Sequence, residues 1–175
     1  VGGRAYRDLP NPMTTVGAVL ESTAFHPGRR ALDHLRILCT AAGLPPSRAE
    51  EVLEEVSLTA AARRRVGGFS LGMRQRLAIA SALLGRPDIL VLDEPANGLD
   101  PDGIHWMRTY LRAYARDGRA VLVSSHVLTE VERLADQVVI ISAGRLVRQG
   151  ALATLTEGAG LESVFLGLTA TGGDR

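Results

Sequence analysis

The sequence predicts an α/β fold, a mostly parallel sheet with flanking helices joined to a small helical unit. Three observations carry this. Ile89-Leu-Val-Leu92 is apolar at every position, the pattern of a strand whose two faces are both covered, as in parallel sheets. Beyond Gly67-Gly68, strand-like and helix-like segments alternate, the order expected of βα units. Residues 31–68 instead show helical periodicity with no strand run between.

The elements follow in order. Residues 1–7 are short and Gly-containing, and Asp8-Leu-Pro-Asn-Pro12 is a turn-forming cluster. Val16-Gly-Ala-Val-Leu-Glu21 reads as a brief buried strand ending in an acid, and His26-Pro-Gly-Arg-Arg30 as a loop. Leu32, Leu35, Leu38 and Ala42 recur at helical spacing until Gly43. Pro45-Pro46 breaks that pattern, after which Ser47 and Glu50 have the spacing of a capping box for a helix that buries Val52, Leu53 and Val56. A helix over 71–84 leads through Gly85-Arg-Pro-Asp88 into the apolar strand. A helix over 104–116, a strand over 120–124 and a helix over 127–135 come next. Strands at 138–141 and 146–148, joined across Ala143-Gly144, read as a hairpin. Short helices near 152–155 and 161–168 close the chain, and 169–175 reads as a frayed tail. No internal repeat or low-complexity segment is present.

Bulk properties exclude several functions. At 175 residues, with 46% apolar and 22% charged residues, the chain has the length and composition of one globular domain. A net charge of +1 gives no electrostatic case for nucleic acid or an acidic membrane surface. The single cysteine, Cys39, excludes an internal disulfide and fits a reducing compartment. It lies in an apolar helical pattern and is expected to be buried and inert. No window holds the 18 or more apolar residues of a membrane span, and no signal pattern opens the chain. The first residue is Val1, which fits either an alternative start codon or the cut edge of a longer protein.

The chemistry concentrates in residues 69–101 and just beyond. Asp93-Glu94 follows the apolar strand directly, and the carboxyl ends of strands in open α/β sheets are where ligands bind. One carboxylate there suits Mg²⁺, which keeps most of its water; the next is placed to take a proton from an attacking water. Taken alone, such a pair also serves as a solvated turn. Ser70 precedes a helix and can cap it, which leaves free amides and the positive end of the dipole facing an anion. A plain capped amphipathic helix has the same local pattern. Asp100 before Pro101 makes a good N-cap. His126 follows the strand at 120–124, where a histidine is either structural or chemical. The basic residues are all arginine, 20 of them. With no lysine, a G-x-x-x-x-G-K-[ST] phosphate loop is not contained in these residues.

Taken in order, Ser70-Leu-Gly-Met-Arg-Gln-Arg76, Ile89-Leu-Val-Leu-Asp-Glu-Pro95, Asn97-Gly-Leu-Asp100 and His126 resemble the signature, Walker B, D-loop and switch histidine of an ATP-binding cassette (ABC) transporter's nucleotide-binding subunit. Glu21 stands where that family usually has its Q-loop glutamine, a departure also found in some drug-export members. The signature departs as well: Ser70 and Gly72 match, while Phe69, Leu71 and Met73 replace the leading Leu, first Gly and Gln. The resemblance covers residues 1–168. The 160–169 segment and the Ala24-Phe-His-Pro-Gly28 loop resemble the drug- and antibiotic-resistance export subgroup.

The resemblance implies a P-loop NTPase-like ABC ATPase core lacking its N-terminal strands and P-loop. It implies ATP and Mg²⁺ as ligands, with Asp93 positioning the metal, Glu94 as general base and His126 reaching the γ-phosphate. Ser70 and Gly72 would contact ATP held by a second ATP-binding subunit in a head-to-tail dimer; Asp100 would couple the two sites and Glu21 would face Mg²⁺ and water. Residues 1–30 would close the N-terminal sheet region and Q-loop, 31–84 form the helical subdomain with the signature helix, 85–150 the Walker B, D-loop and switch core, and 151–175 the C-terminal helices and tail. The partners implied are a membrane-spanning permease and a second subunit, with no nucleic acid; the place is cytoplasmic, on the inner face of the membrane. The function implied is energy coupling for export of a drug, antibiotic or other small hydrophobic compound. Alternatives are a non-catalytic half-cassette or pseudogene fragment, and a non-transport ABC ATPase. Without the P-loop strand, the Walker B strand is expected to lose a central neighbour, and the chain alone to fold poorly and hydrolyse no ATP.

Overall fold

The computed structural model describes residues 1–20, 25–157 and 159–170, which fall into two compact units, 1–124 and 125–175. In the first, a 3₁₀ turn at Tyr6–Asp8 and a single helical turn α1 (Pro12–Thr15) precede β1 (Val16–Val19). Helices α2 (Ala31–Ala41), α3 (Arg48–Glu55) and α4 (Leu71–Leu83) follow, with 3₁₀ turns at Thr59–Ala61 and Val66–Gly68 between the last two. Then come β2 (Ile89–Asp93), α5 (Pro101–Arg116) and β3 (Ala120–Ser124).

The strands form a parallel sheet in the order β1-β2-β3, Val16 pairing with Ile89 and Asp93 with Ser124 at the two extremes. This corrects the expected loss of a neighbour by the Walker B strand. β2 is central and bonded on both sides, so its backbone is satisfied. The outer strands are β1 and β3, and Leu122 of β3 is 61% exposed. The apolar run of β2 is also only half explained by two-sided burial: Leu90 and Leu92 are fully buried, whereas Ile89 and Val91 on the other face are partly covered.

Helix α4 approaches β1 closely because of Gly17, where a Cβ would run into the Ala82 carbonyl oxygen. The core joins Leu35 and Cys39 of α2, Val52 and Leu53 of α3, and Leu77, Ile79 and Leu83 of α4 with Leu90, Leu92 and Leu111. Burying such side chains contributes about 1.5–3 kcal/mol each. The expected capping box at Ser47 is not formed. Ser47 is already helical (φ −60°, ψ −24°) and its side chain makes no cap bond, because the Pro45 and Pro46 carbonyls accept the first amides, from Arg48 and Ala49. Glu50 instead accepts from Arg36 of α2 at 2.5 Å.

In the second unit, α6 (Leu128–Leu134) leads to an antiparallel hairpin of β4 (Gln137–Ser142) and β5 (Arg145–Ala151). Its two-residue tip, Ala143 and Gly144, has φ of +48° and +73°, the left-handed pair that matches strand twist. Helices α7 (Leu152–Thr156) and α8 (Leu161–Ala170) follow. Val138, Ile140 and Leu161 centre a separate core packed by Leu128, Val131, Leu152 and Phe165 among others. No helix among the described residues is long and apolar enough to cross a membrane.

Candidate functional site

The start of α4 is built as the sequence suggests. Ser70 is extended (φ −63°, ψ 165°), and its Oγ accepts from the Met73 amide at 3.2 Å. An N-cap leaves the earliest helical amides, here those of Leu71 and Gly72, without partners inside the helix, so the exposed start has donors and a partial positive charge. The tip of Leu71 lies against Gly98 of the following loop. Gly98 has φ +68°, and a Cβ there would meet Leu71 Cδ2. A Cβ on Gly72 would stand 3.8 Å from Leu99 Cδ2. The signature segment and the 97–100 loop therefore touch within the same chain.

Asp100 ends that loop and caps α5. Its Oδ1 accepts from the Gly103 amide at 2.8 Å, with Pro101 in the first helical position, where its missing N–H costs nothing. Arg76, one turn into α4, lies with its guanidinium 4.0 Å from the Trp106 ring centroid of α5 and donates to the Val56 carbonyl at 3.2 Å. Burial lowers the Arg76 pKa, and the nearby Asp100 carboxylate opposes that shift.

Asp93 is the last residue of the central strand, at its carboxyl end and partly buried. Ser124, its register partner on β3, donates its hydroxyl proton to Asp93 Oδ1 at 2.5 Å. Glu94 takes a left-handed backbone, φ +46°, and its amide donates to both Ser124 Oγ (3.0 Å) and Ser124 O (3.2 Å). For a residue with a Cβ that conformation costs about 1–2 kcal/mol, and the two acceptors hold it. The chain then turns through Asn97 N–H to Glu94 O and Leu99 N–H to Ala96 O, at 3.1 Å each, into Asp100. Glu94 and Asp100 are thus tied to the same short loop.

Glu21 is outside the described residues. His126 is an exposed residue of the second unit, between β3 and α6, where the Val127 amide donates to Ser125 Oγ at 3.1 Å. Reading the sequence alone missed Ser124 and Arg76, as well as Arg48. Arg48 is 6% exposed and donates to the Leu83 and Leu84 carbonyls at the end of α4, at 2.9 and 3.1 Å, and to Glu51 and Glu55 at 3.0 and 2.7 Å. The register equivalence of residues 89–93 with 120–124 would have pointed to Ser124; nothing local marks Arg48.

The donor set at Asp93 fits Mg²⁺. It offers carboxylate oxygen at a strand end, and the ion takes one or two carboxylates and completes its shell with water and phosphate oxygen. Among the described residues no three His, Cys, Asp or Glu side chains gather to form an all-protein metal cage.

Fold and geometry together define a parallel α/β domain with an acidic strand end, a capped helix start and a connecting loop that touches that helix start. The ABC transporter family matches residues 4–97, more than half of the chain. The chain therefore belongs to the ABC transporter family, as an ATP-binding domain. It is 42% identical over 141 residues to the uncharacterized ABC transporter ATP-binding protein YdbJ of Bacillus subtilis (79% of this chain, 46% of that protein). It is 39% identical to the bacitracin transport ATP-binding protein BcrA of Bacillus licheniformis (85% and 49%) and 38% to the lantibiotic transport ATP-binding protein SrtF of Streptococcus pyogenes (75% and 58%). The chain spans about half the length of the curated relatives it matches. A solved ATP binding subunit of an ABC transporter superposes with a TM-score of 0.82 at 28% identity, covering 97% of this chain and 75% of that one.

Proposed function

We propose that these residues form part of the ATP-hydrolysing subunit of an exporter for a drug, antibiotic or other small hydrophobic compound. The observation that carries the reading is the joined loop from Asp93 to Asp100, which starts at the carboxyl end of the central strand and packs on the capped start of α4. Similarity to proteins named for bacitracin and lantibiotic transport supports the substrate class, and the export direction rests on the subgroup resemblance of the 160–169 segment and the 24–28 loop.

In this reading Asp93 would hold Mg²⁺, which would supply charge neutralisation on the phosphates. Glu94 accepts the proton of the attacking water, aided by a backbone fixed by Ser124. Ser70 and the Leu71 and Gly72 amides face phosphate oxygens of ATP held by a second ATP-binding subunit, arranged head to tail. Asp100 transmits between the two sites, since its loop touches the α4 start; by resemblance to the family, His126 would serve the γ-phosphate and Glu21 the metal and water. The helical unit of α2 and α3 faces a membrane-spanning permease, which keeps the subunit on the cytoplasmic side of the membrane. Residues 1–30, 31–84, 85–150 and 151–175 serve as the Q-loop region, helical subdomain, catalytic core and C-terminal helices.

The 175 residues contain no lysine. The lysine that the family's P-loop sets on the β- and γ-phosphates is not among them, so in this reading it would come from residues outside these 175. The same absence favours a second reading, a non-catalytic partner offering Ser70 and Gly72 to an intact subunit's ATP. The test is Glu94→Gln in the complete subunit that carries this sequence. Turnover is expected to vanish while ATP binding remains; unchanged turnover would remove Glu94 as the base. Stable co-purification of the unextended chain with an intact subunit whose own Glu carries all turnover would select the second reading.

A further inference from the structure

We propose that Ser124 is a positioning residue that aims both acidic side chains, through a one-way relay of hydrogen bonds across the sheet. This rests on the reading of Asp93 and Glu94 given above. The direction of the relay follows from chemistry. A carboxylate only accepts, so the single Ser124 hydroxyl proton goes to Asp93 Oδ1, and the hydroxyl lone pair is left to receive the Glu94 amide. One side chain thereby settles which Asp93 oxygen is engaged by protein, and helps pin the left-handed turn at Glu94 (φ +46°) from which the Glu94 side chain departs. The parallel register of β2 and β3, with Asp93 opposite Ser124, makes this possible. The neighbouring Ser125 is not equivalent, since its Oγ accepts from the Val127 amide instead.

Removing the hydroxyl leaves the carboxylate free to rotate and takes one of the two acceptors of the Glu94 amide, with Ser124 O remaining at 3.2 Å. Hydrogen bonds to a charged group are strong enough that the loss corresponds to about a tenfold effect or more. In the complete subunit, Ser124→Ala is expected to raise the Mg²⁺ concentration for half-maximal turnover and to lower kcat, each by about tenfold, with KM for ATP at saturating Mg²⁺ changed less than about twofold. Ser124→Thr keeps the hydroxyl on a strand-compatible side chain and is expected to recover most of both losses. Amide hydrogen exchange at Glu94 is expected to quicken several-fold in Ser124→Ala and to recover in Ser124→Thr.

An unchanged Mg²⁺ dependence in Ser124→Ala overturns the proposal, even if exchange at Glu94 quickens, because the hydroxyl is then only structural. Equal damage in Ser124→Thr and Ser124→Ala overturns it too, by tracing the effect to side-chain packing. The parent reading fails separately, when Glu94→Gln in the Ser124 background retains turnover.

Discussion

Replacing Arg48 by methionine tests what holds the end of α4, the helix that begins at the signature, against α3. Methionine keeps an apolar stem of similar length and removes every donor. The carbonyls of Leu83 and Leu84 lie at the end of α4 and both residues are 1% exposed; Leu83 O also accepts from the Arg86 amide at 2.9 Å, whereas Leu84 O has Arg48 as its donor. A buried acceptor left without a donor costs about 1–3 kcal/mol, and since Leu83 O keeps the Arg86 amide the loss at Leu84 O amounts to about 2. The ion pairs add little, because the Glu51 and Glu55 side chains remain 44% and 39% exposed and keep their water. With a urea slope of about 2 kcal/mol per M, a loss of about 2 kcal/mol moves the midpoint by roughly 1 M.

Urea unfolding read by Trp106, the one tryptophan of the 175 residues, reports on this unit, because Trp106 stacks with Arg76 and Tyr110. pH separates the two contributions. The Glu51 carboxyl is held below its ordinary value of 4.5, first by the hydrogen bond from Arg48 and then by that from Arg86. A depressed folded-state pKa stabilises above the unfolded value, and that stabilisation is lost as pH falls through the folded one. The carboxylate share of the Arg48→Met loss should therefore shrink below pH 4.5, while the carbonyl share persists. A loss under about 1 kcal/mol, or one that disappears in acid, would refute the assignment to the helix end.

Two other perturbations follow from the packing. Gly98→Ala places a Cβ at φ +68° and against Leu71 Cδ2; since Leu71 is 53% exposed and free to turn its tip away, the cost should be about 1–2 kcal/mol from the backbone, and Leu71→Gly should recover no more than about 0.5 in a double-mutant cycle. Recovery of more than half would show that Leu71 is pinned on the loop. Cys39 is fully buried, and burial pushes its thiol above the usual 9.0. It should resist Ellman's reagent in the folded protein at pH 8 and react at once in urea; fast stoichiometric labelling without denaturant would contradict its place in the core.

The features legible in the sequence are those set within a few residues of each other. Ser70 and Asp100 cap their helices because an oxygen two or three residues ahead of an amide meets it whatever surrounds the helix start. Ala143-Gly144 turns the hairpin for a similarly local reason, and the stripes through α2, α3 and α5 announce their buried faces by period alone. Ser47 shows the limit of local rules, since the two prolines before it had already set the turn.

The order of motifs along the chain also identifies the family, because each motif's chemistry depends on its place after a particular strand or helix. Tertiary structure alone decided the strand order that puts β2 between β1 and β3, and with it the partners of Asp93 and Glu94. Ser124 lies 31 residues from Asp93, and Arg48 lies 36 residues from the Leu84 carbonyl that it holds. Contacts of that span depend on which segments pair and in what register. An apolar run specifies that a strand is buried, but every neighbouring strand offers it the same backbone donors and acceptors, so its composition does not choose among them.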